Sequence, residues 1–206
     1  MAEAHAFPPD SPAPWAEIVP GVGPMTVHDL LALPDDGWQY ELVQGRLIRM
    51  LPEGFEASNI AARLLIRLGA YIEDHDLGEV TGEAGGYDLS PAGRNDTALA
   101  PDIAFVSADR LPPHVSFDVQ KAVPFAPDLA VEVASPNQYR PGMAAKAQRY
   151  LTAGTRLVWV LWPGRRQVDV WHPEDTQPTA TLGVNDTLDG EDVVLGFTYP
   201  VARLFR

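Results

Sequence analysis

The stretch Asp128-Leu129-Ala130-Val131-Glu132-Val133 constrains the fold more than any other part of the chain. It reads as a buried strand. Alternation sends Leu129, Val131 and Val133 to one face and Ala130, Glu132 and Ala134 to the other. A carboxylate therefore projects from an apolar strand between two small neighbours. An ionised group in such a place has to be compensated. A salt bridge, for example to an arginine, would do so; the small neighbours also leave room for a ligand, a water or a cation.

The rest of the chain supplies layers to enclose such a strand. Thr26 to Leu33 reads as a short helix with Thr26 as N-cap and Asp29 in the first turn. Trp38–Val43 and Arg46–Leu51 read as strands joined by Gln44-Gly45, a two-residue hairpin turn. From Ser58 to about Asp76 the period becomes helical, with Ile60, Leu64, Leu68, Tyr71 and Ile72 on one stripe. Strand patterns recur over 79–81, 86–89, 100–106, 128–133, 156–162 and 167–172, with shorter runs near 180–182 and 192–195. A second helix is expected from about Met143 to Ala153, stopped by Gly154. Eight or more strands with two substantial helices, and no regular βαβ repeat, predict an α/β or α+β fold with a mixed central sheet flanked by helices. Residues 1–24 are rich in proline and lack periodicity, so they read as a mobile arm preceding one domain over 25–206.

Composition narrows the chemistry. The chain has 206 residues, no cysteine, 28 acidic and 15 Lys or Arg residues, for a formal net charge of -13. The missing cysteine excludes disulfides, thiolate zinc sites and a cysteine nucleophile. The negative field opposes non-specific coating of nucleic acid unless basic groups cluster or a cation inverts the local sign. His5, His28, His75, His114 and His172 are scattered without paired ligand spacing, which argues against a zinc hydrolase. No phosphate-cradling glycine loop occurs: Glu83-Ala84-Gly85-Gly86 lacks the following lysine and helix. No apolar run approaches the roughly 20 residues of a membrane span, and the N-terminus lacks the pattern of a signal peptide. A cytoplasmic protein is the expectation.

Four residues form the candidate constellation. Asp102 follows a proline at the start of an apolar strand, where an aspartate can also serve as a turn cap. Its strand and that of Glu132 are joined by one loop and could be neighbours, which would give two carboxylates suited to a hard divalent cation. Lys146, one of two lysines in the chain beside Lys121, lies one helix after Glu132; it could approach the same pocket or lie solvated on a helix face. Tyr150, four residues on, reads as a packing residue. Glu41, on the first hairpin, either faces inward toward the same place or is a surface glutamate.

These residues sit in a longer pattern. Tyr40-Glu41-Leu42-Val43-Gln44-Gly45-Arg46-Leu47, Pro101-Asp102-Ile103-Ala104-Phe105-Val106 and Val131-Glu132-Val133-Ala134-Ser135-Pro136 occur in order, followed by Lys146, Tyr150, Ala153-Gly154 and Val158-Trp159-Val160. With the opening Met25–Pro34 and closing Gly196–Phe205 segments, the chain resembles the Uma-two family of restriction-endonuclease-like proteins over about residues 25–205. The resemblance implies a branch of the PD-(D/E)xK nuclease fold, with a curved mixed sheet between helices. It implies Asp102 and Glu132 as ligands of Mg2+ or Mn2+, Glu41 as an accessory acid and Lys146 as the catalytic lysine. The usual lysine position, two residues after the glutamate, is Ala134 here, so that role moves to Lys146. Ala57 beside Glu56, Gly142, and Trp162-Pro163 stand where family members often carry a histidine or an acid.

The expected function is metal-dependent hydrolysis of phosphodiesters in nucleic acid, DNA before RNA. Arg63, Arg67, Arg140, Arg149 and Arg156 are candidate phosphate contacts. The alternatives are a non-catalytic binding or regulatory module that keeps the fold, and a hydrolase of smaller phosphate esters. The hairpin bearing Trp159, Trp162 and Trp171, read as exposed, suggests a homodimer.

Overall fold

The structure, a computed structural model, describes residues 16–50, 54–83, 85–111, 122–135 and 140–206. Most of the proposed N-terminal arm (residues 1–15) and Lys121 lie outside these residues.

Three strands and a short helix open the described chain. β1 (Ala16–Ile18) runs antiparallel to β3 (Arg46–Met50), so residues assigned by composition to the arm serve as an edge strand. α1 (Val27–Leu31) is closed by a capping box in which Thr26 and Asp29 satisfy each other's backbone N–H groups. β2 (Gln39–Val43) pairs with β3 across Gln44 and Gly45, whose φ values of 51° and 78° suit a type I′ hairpin.

α2 (Phe55–Asp74) follows, then β4 (Gly78–Gly82), β5 (Tyr87–Asp88), β6 (Ala98–Leu99), β7 (Ile103–Ser107) and β8 (Leu129–Val133). α3 (Arg140–Thr152) leads to β9 (Leu157–Trp162), β10 (Gln167–Trp171), β11 (Ala180–Leu182), β12 (Thr187–Asp189), β13 (Thr198–Pro200) and α4 (Val201–Leu204). Pro141 is accommodated because it lies in the first turn of α3, where its N–H would have no intrahelical acceptor.

The fold is mixed α+β. The central sheet has six strands in the order β11-β10-β9-β8-β7-β4, and only the β8–β9 pair is parallel. A five-stranded sheet, β1-β3-β2-β6-β5, and the small β12–β13 ladder complete it. The strand expected over 192–195 is a turn instead. Gly190 accepts no side chain there, because a Cβ would come within 2.4 Å of the Val194 carbonyl oxygen.

Two cores lie on opposite faces of the central sheet. On one, Ile60, Leu64, Leu68 and Ile72 of α2 pack on Leu129, Val131 and Val133. On the other, Met143, Ala147 and Tyr150 of α3 pack on Ala130 and Ala134. The alternation read from the sequence thus divides β8 between two layers, with Glu132 on the α3 side. Trp159, Trp162 and Trp171 are all buried in these cores. This removes the exposed aromatic surface on which the homodimer expectation rested.

Gly78 ties the outer strand to this arrangement. Its φ is +147°, and a Cβ would lie 2.1 Å from the Val106 carbonyl oxygen across the β4–β7 ladder. Gly78→Ala is expected to destabilise the protein by about 1–3 kcal/mol or more, as overpacking does. Urea denaturation checks this; an unchanged midpoint would contradict the packing described.

Candidate active site

β7 and β8 are antiparallel neighbours with Ile103 opposite Val131. Asp102 stands immediately before β7, which brings it beside the end of β8 that carries Glu132. The Val133 N–H donates to Asp102 Oδ2 at 2.5 Å, which fixes the aspartate beside the end of β8. Asp102 is half-buried and Glu132 is buried.

α3 brings the cation. Its apolar residues settle Lys146 and Tyr150 over β8. Lys146 Nζ donates to Glu132 Oε2 at 2.9 Å, and the Tyr150 hydroxyl donates to Glu132 Oε1 at 2.8 Å. Both carboxylate oxygens are therefore engaged by one helix, at positions four residues apart on the same face.

β2, in the other sheet, supplies Glu41. Its Oε1 lies 3.0 Å from Lys146 Nζ and accepts the Ala100 N–H at 3.3 Å. Glu41 is buried, so the alternative of a surface glutamate does not hold. The fold brings together Glu41, Asp102, Glu132 and Lys146 from two sheets and a helix. The salt-bridge partner of Glu132 is a lysine, and Tyr150, read as packing, is a polar member of the cluster.

The electrostatics are those of an acid surplus. Burial pushes the Glu132 carboxyl up; Lys146 pulls it down, and Asp102 and Glu41 raise it again, leaving it at about 8. For Lys146, burial opposes the charge, but attraction to Glu132, Glu41 and Asp102 outweighs it and holds the ammonium above its ordinary range. Burial, followed by the nearby carboxylates, also raises the Tyr150 phenol well above its usual value. Three acids share one ammonium, and the cluster retains a proton that isolated carboxylates would release.

The oxygen donors suit a hard divalent cation, and the surplus negative charge is what such an ion would neutralise. Among the described residues, no group of three or more His, Cys, Asp and Glu side chains forms a cation cage. Any cation held there would have Asp102 and Glu132 as its protein carboxylates.

Asp169 is a further buried carboxylate, one that the sequence reading does not single out. Asp169 shares a row with Glu132, since both pair with Val160. It accepts bonds from Arg140 Nη1 at 2.9 Å, Trp162 Nε1 at 2.8 Å and Thr181 Oγ1 at 2.6 Å. Arg140 stands at the start of α3, so this contact tethers the helix that delivers Lys146. The alternation in Gln167-Val168-Asp169-Val170-Trp171 carries the same signal that exposed Glu132. Other expected phosphate contacts are engaged elsewhere: Arg63 bonds Asn59 and the Leu204 carbonyl, and Arg156 pairs with Asp192 at 2.8 Å.

The sequence pattern of the Uma2 (Uma-two) family, described as "Putative restriction endonuclease", matches residues 27–202. The chain belongs to the Uma2 family. A crystal structure from Anabaena variabilis ATCC 29413, described as a putative nuclease belonging to DUF820, superposes with a TM-score of 0.73 at 20% sequence identity. The match covers 88% of this chain and 98% of that one, and it establishes the shared fold. No curated protein matches. Membership of Uma2 supports nuclease function at the level of the family. No described helix is long and apolar enough to cross a membrane.

The Glu132 shift fixes a pH dependence. Its folded value of about 8 lies above its ordinary value of 4.5. The folded protein therefore keeps a proton that the unfolded chain has lost between those values. This contribution to stability is complete below 4.5 and is lost as pH rises toward about 8. Lys146 does not titrate in that window. Without added metal, wild type should lose stability across it, whereas Glu132→Gln should show a flatter profile. Chemical denaturation at several pH values measures this; parallel profiles would contradict the shift.

Proposed function

We propose that the protein is a metal-dependent endonuclease that hydrolyses phosphodiester bonds, with DNA as the preferred substrate. The observation that carries this reading is the meeting of Asp102, just before β7, with Glu132 of the neighbouring β8, with an ammonium already bound to Glu132. Asp102 and Glu132 would hold Mg2+ or Mn2+. When bound, such an ion supplies Lewis-acid polarisation of a phosphoryl oxygen and a water of lowered pKa.

The protein groups divide the remaining work. Lys146 carries a fixed positive charge that can stabilise charge developing on a phosphoryl oxygen or orient the attacking water. Glu41 holds Lys146 from the far side and thereby sets where that charge sits. Tyr150 holds Glu132 Oε1, fixing the plane of the carboxylate. The chain belongs to the wider PD-(D/E)xK group in this reading, with its lysine carried on α3.

A non-catalytic module is the second reading. The observation in its favour is that Lys146 and Tyr150 already engage both oxygens of Glu132. Metal binding separates the two readings, because the catalytic one requires an ion to compete for Glu132.

Calorimetric titration should show Mn2+ binding to the folded protein, with affinity rising from pH 6 toward about 8 as the Glu132 proton is released. Cleavage of DNA with Mg2+ or Mn2+ should fall about 100-fold or more in Asp102→Ala, Glu132→Ala and Lys146→Ala. Undiminished cleavage in the two carboxylate variants would remove the assignment. Failure of folded wild type to bind millimolar Mn2+ would favour the module.

A further inference from the structure

A groove on the other layer of the molecule has the properties of an anion site. Arg67 and Tyr71 of α2, Phe197, Thr198 and Tyr199 around β13, and Arg203 of α4 line a cavity of about 280 Å3. Phe197 and Tyr199 belong to the core on the α2 face of the central sheet, whereas Glu132 faces α3. The groove is therefore separate from the carboxylate cluster.

Its two arginines share one groove, and no carboxylate among the described residues takes up their charge. Acidic residues number 28 against 15 Lys and Arg, and four of the arginines are held in ion pairs. Arg94, Arg110, Arg140 and Arg156 pair with Asp96, Asp128, Asp169 and Asp192. Arg67 and Arg203 form no ion pair or hydrogen bond among the described residues, and both are exposed at the same groove. Two arginines without ion pairs thus line one groove of a chain whose net charge is -13.

The wall is shaped as well as charged. The Tyr71 hydroxyl donates to the Leu195 carbonyl at 3.0 Å, and its ring meets Phe197 edge-on at 5.5 Å. Gly196, at φ +83°, leaves that hydroxyl its space: a Cβ would lie 2.6 Å from it. Thr198 adds an exposed residue with a hydroxyl donor.

We propose that this groove binds a phosphate monoester carried on a nucleoside-sized organic body. Paired guanidinium forks suit tetrahedral phosphate oxygens, and a monoester near neutral pH carries between one and two negative charges. The volume exceeds what a bare phosphate fills and approaches that of small-ligand pockets. This inference does not rest on the nuclease reading.

Calorimetry with 5′-AMP, inorganic phosphate and the phosphodiester dTpdT, in EDTA and at low salt, tests it. AMP should bind wild type more tightly than either other probe. Arg67→Ala and Arg203→Ala should each weaken AMP by about tenfold or more, consistent with loss of a charge-assisted bond. Glu132→Gln should bind AMP as wild type does, which separates this site from the carboxylate cluster. Circular dichroism establishes that each variant is folded. No binding at millimolar AMP, or unchanged affinity in both folded arginine variants, would overturn the proposal. Phosphate binding as tightly as AMP would overturn the organic body, and dTpdT binding as tightly would overturn the monoester.

Discussion

Burying Glu132 in the middle of the central sheet is the constraint to which the surrounding structure answers. A carboxylate there is costly unless it is paired and hydrogen-bonded. Compensation comes from α3, which has to dock so that Lys146 and Tyr150 reach the two carboxylate oxygens together. Small residues on that face of β8, Ala130 and Ala134, let the helix approach. The Arg140–Asp169 contact tethers the other end of α3 to β10. One buried charge thus links helix position, strand composition and a second ion pair.

The same constraint makes the site chemically incomplete. Lys146 is shared between Glu132 and Glu41, with Asp102 close enough to raise Glu132 further. One ammonium cannot balance three carboxylates. The cluster meets the deficit by retaining a proton, and a divalent cation would meet it more fully. Acid surplus near a partly exposed aspartate is what joins the buried architecture to a hydrolytic reading. It also answers the repulsion between a chain of net charge -13 and a polyanionic substrate, because positive charge would be imported at the point of contact.

Much of this was legible in the sequence because strand alternation is a local signal. Glu132 stood out among Leu, Ala and Val neighbours, and the loop between two apolar strands suggested that Asp102 would lie nearby. Glu41 was less legible: its place depends on β2 approaching α3 from another sheet, which no local pattern encodes. Tyr150 has the sequence signature of a packing residue because its ring is buried among apolar groups, while its hydroxyl has a separate polar role. Asp169 carries the same alternation signal as Glu132, on a strand whose partners only the fold supplies. The aromatic hairpin misled in the opposite direction: Trp159, Trp162 and Trp171 sit on strands covered on both faces, and burial there depends on layers that the hairpin sequence does not reveal.

The central claim, that Asp102 and Glu132 share a place for a divalent cation, is tested most directly by anomalous diffraction from crystals grown with Mn2+. The account predicts a manganese peak in contact with carboxylate oxygens of both residues, with Lys146 still beside Glu132. An absent peak at saturating Mn2+, or one confined to other carboxylates, would contradict it.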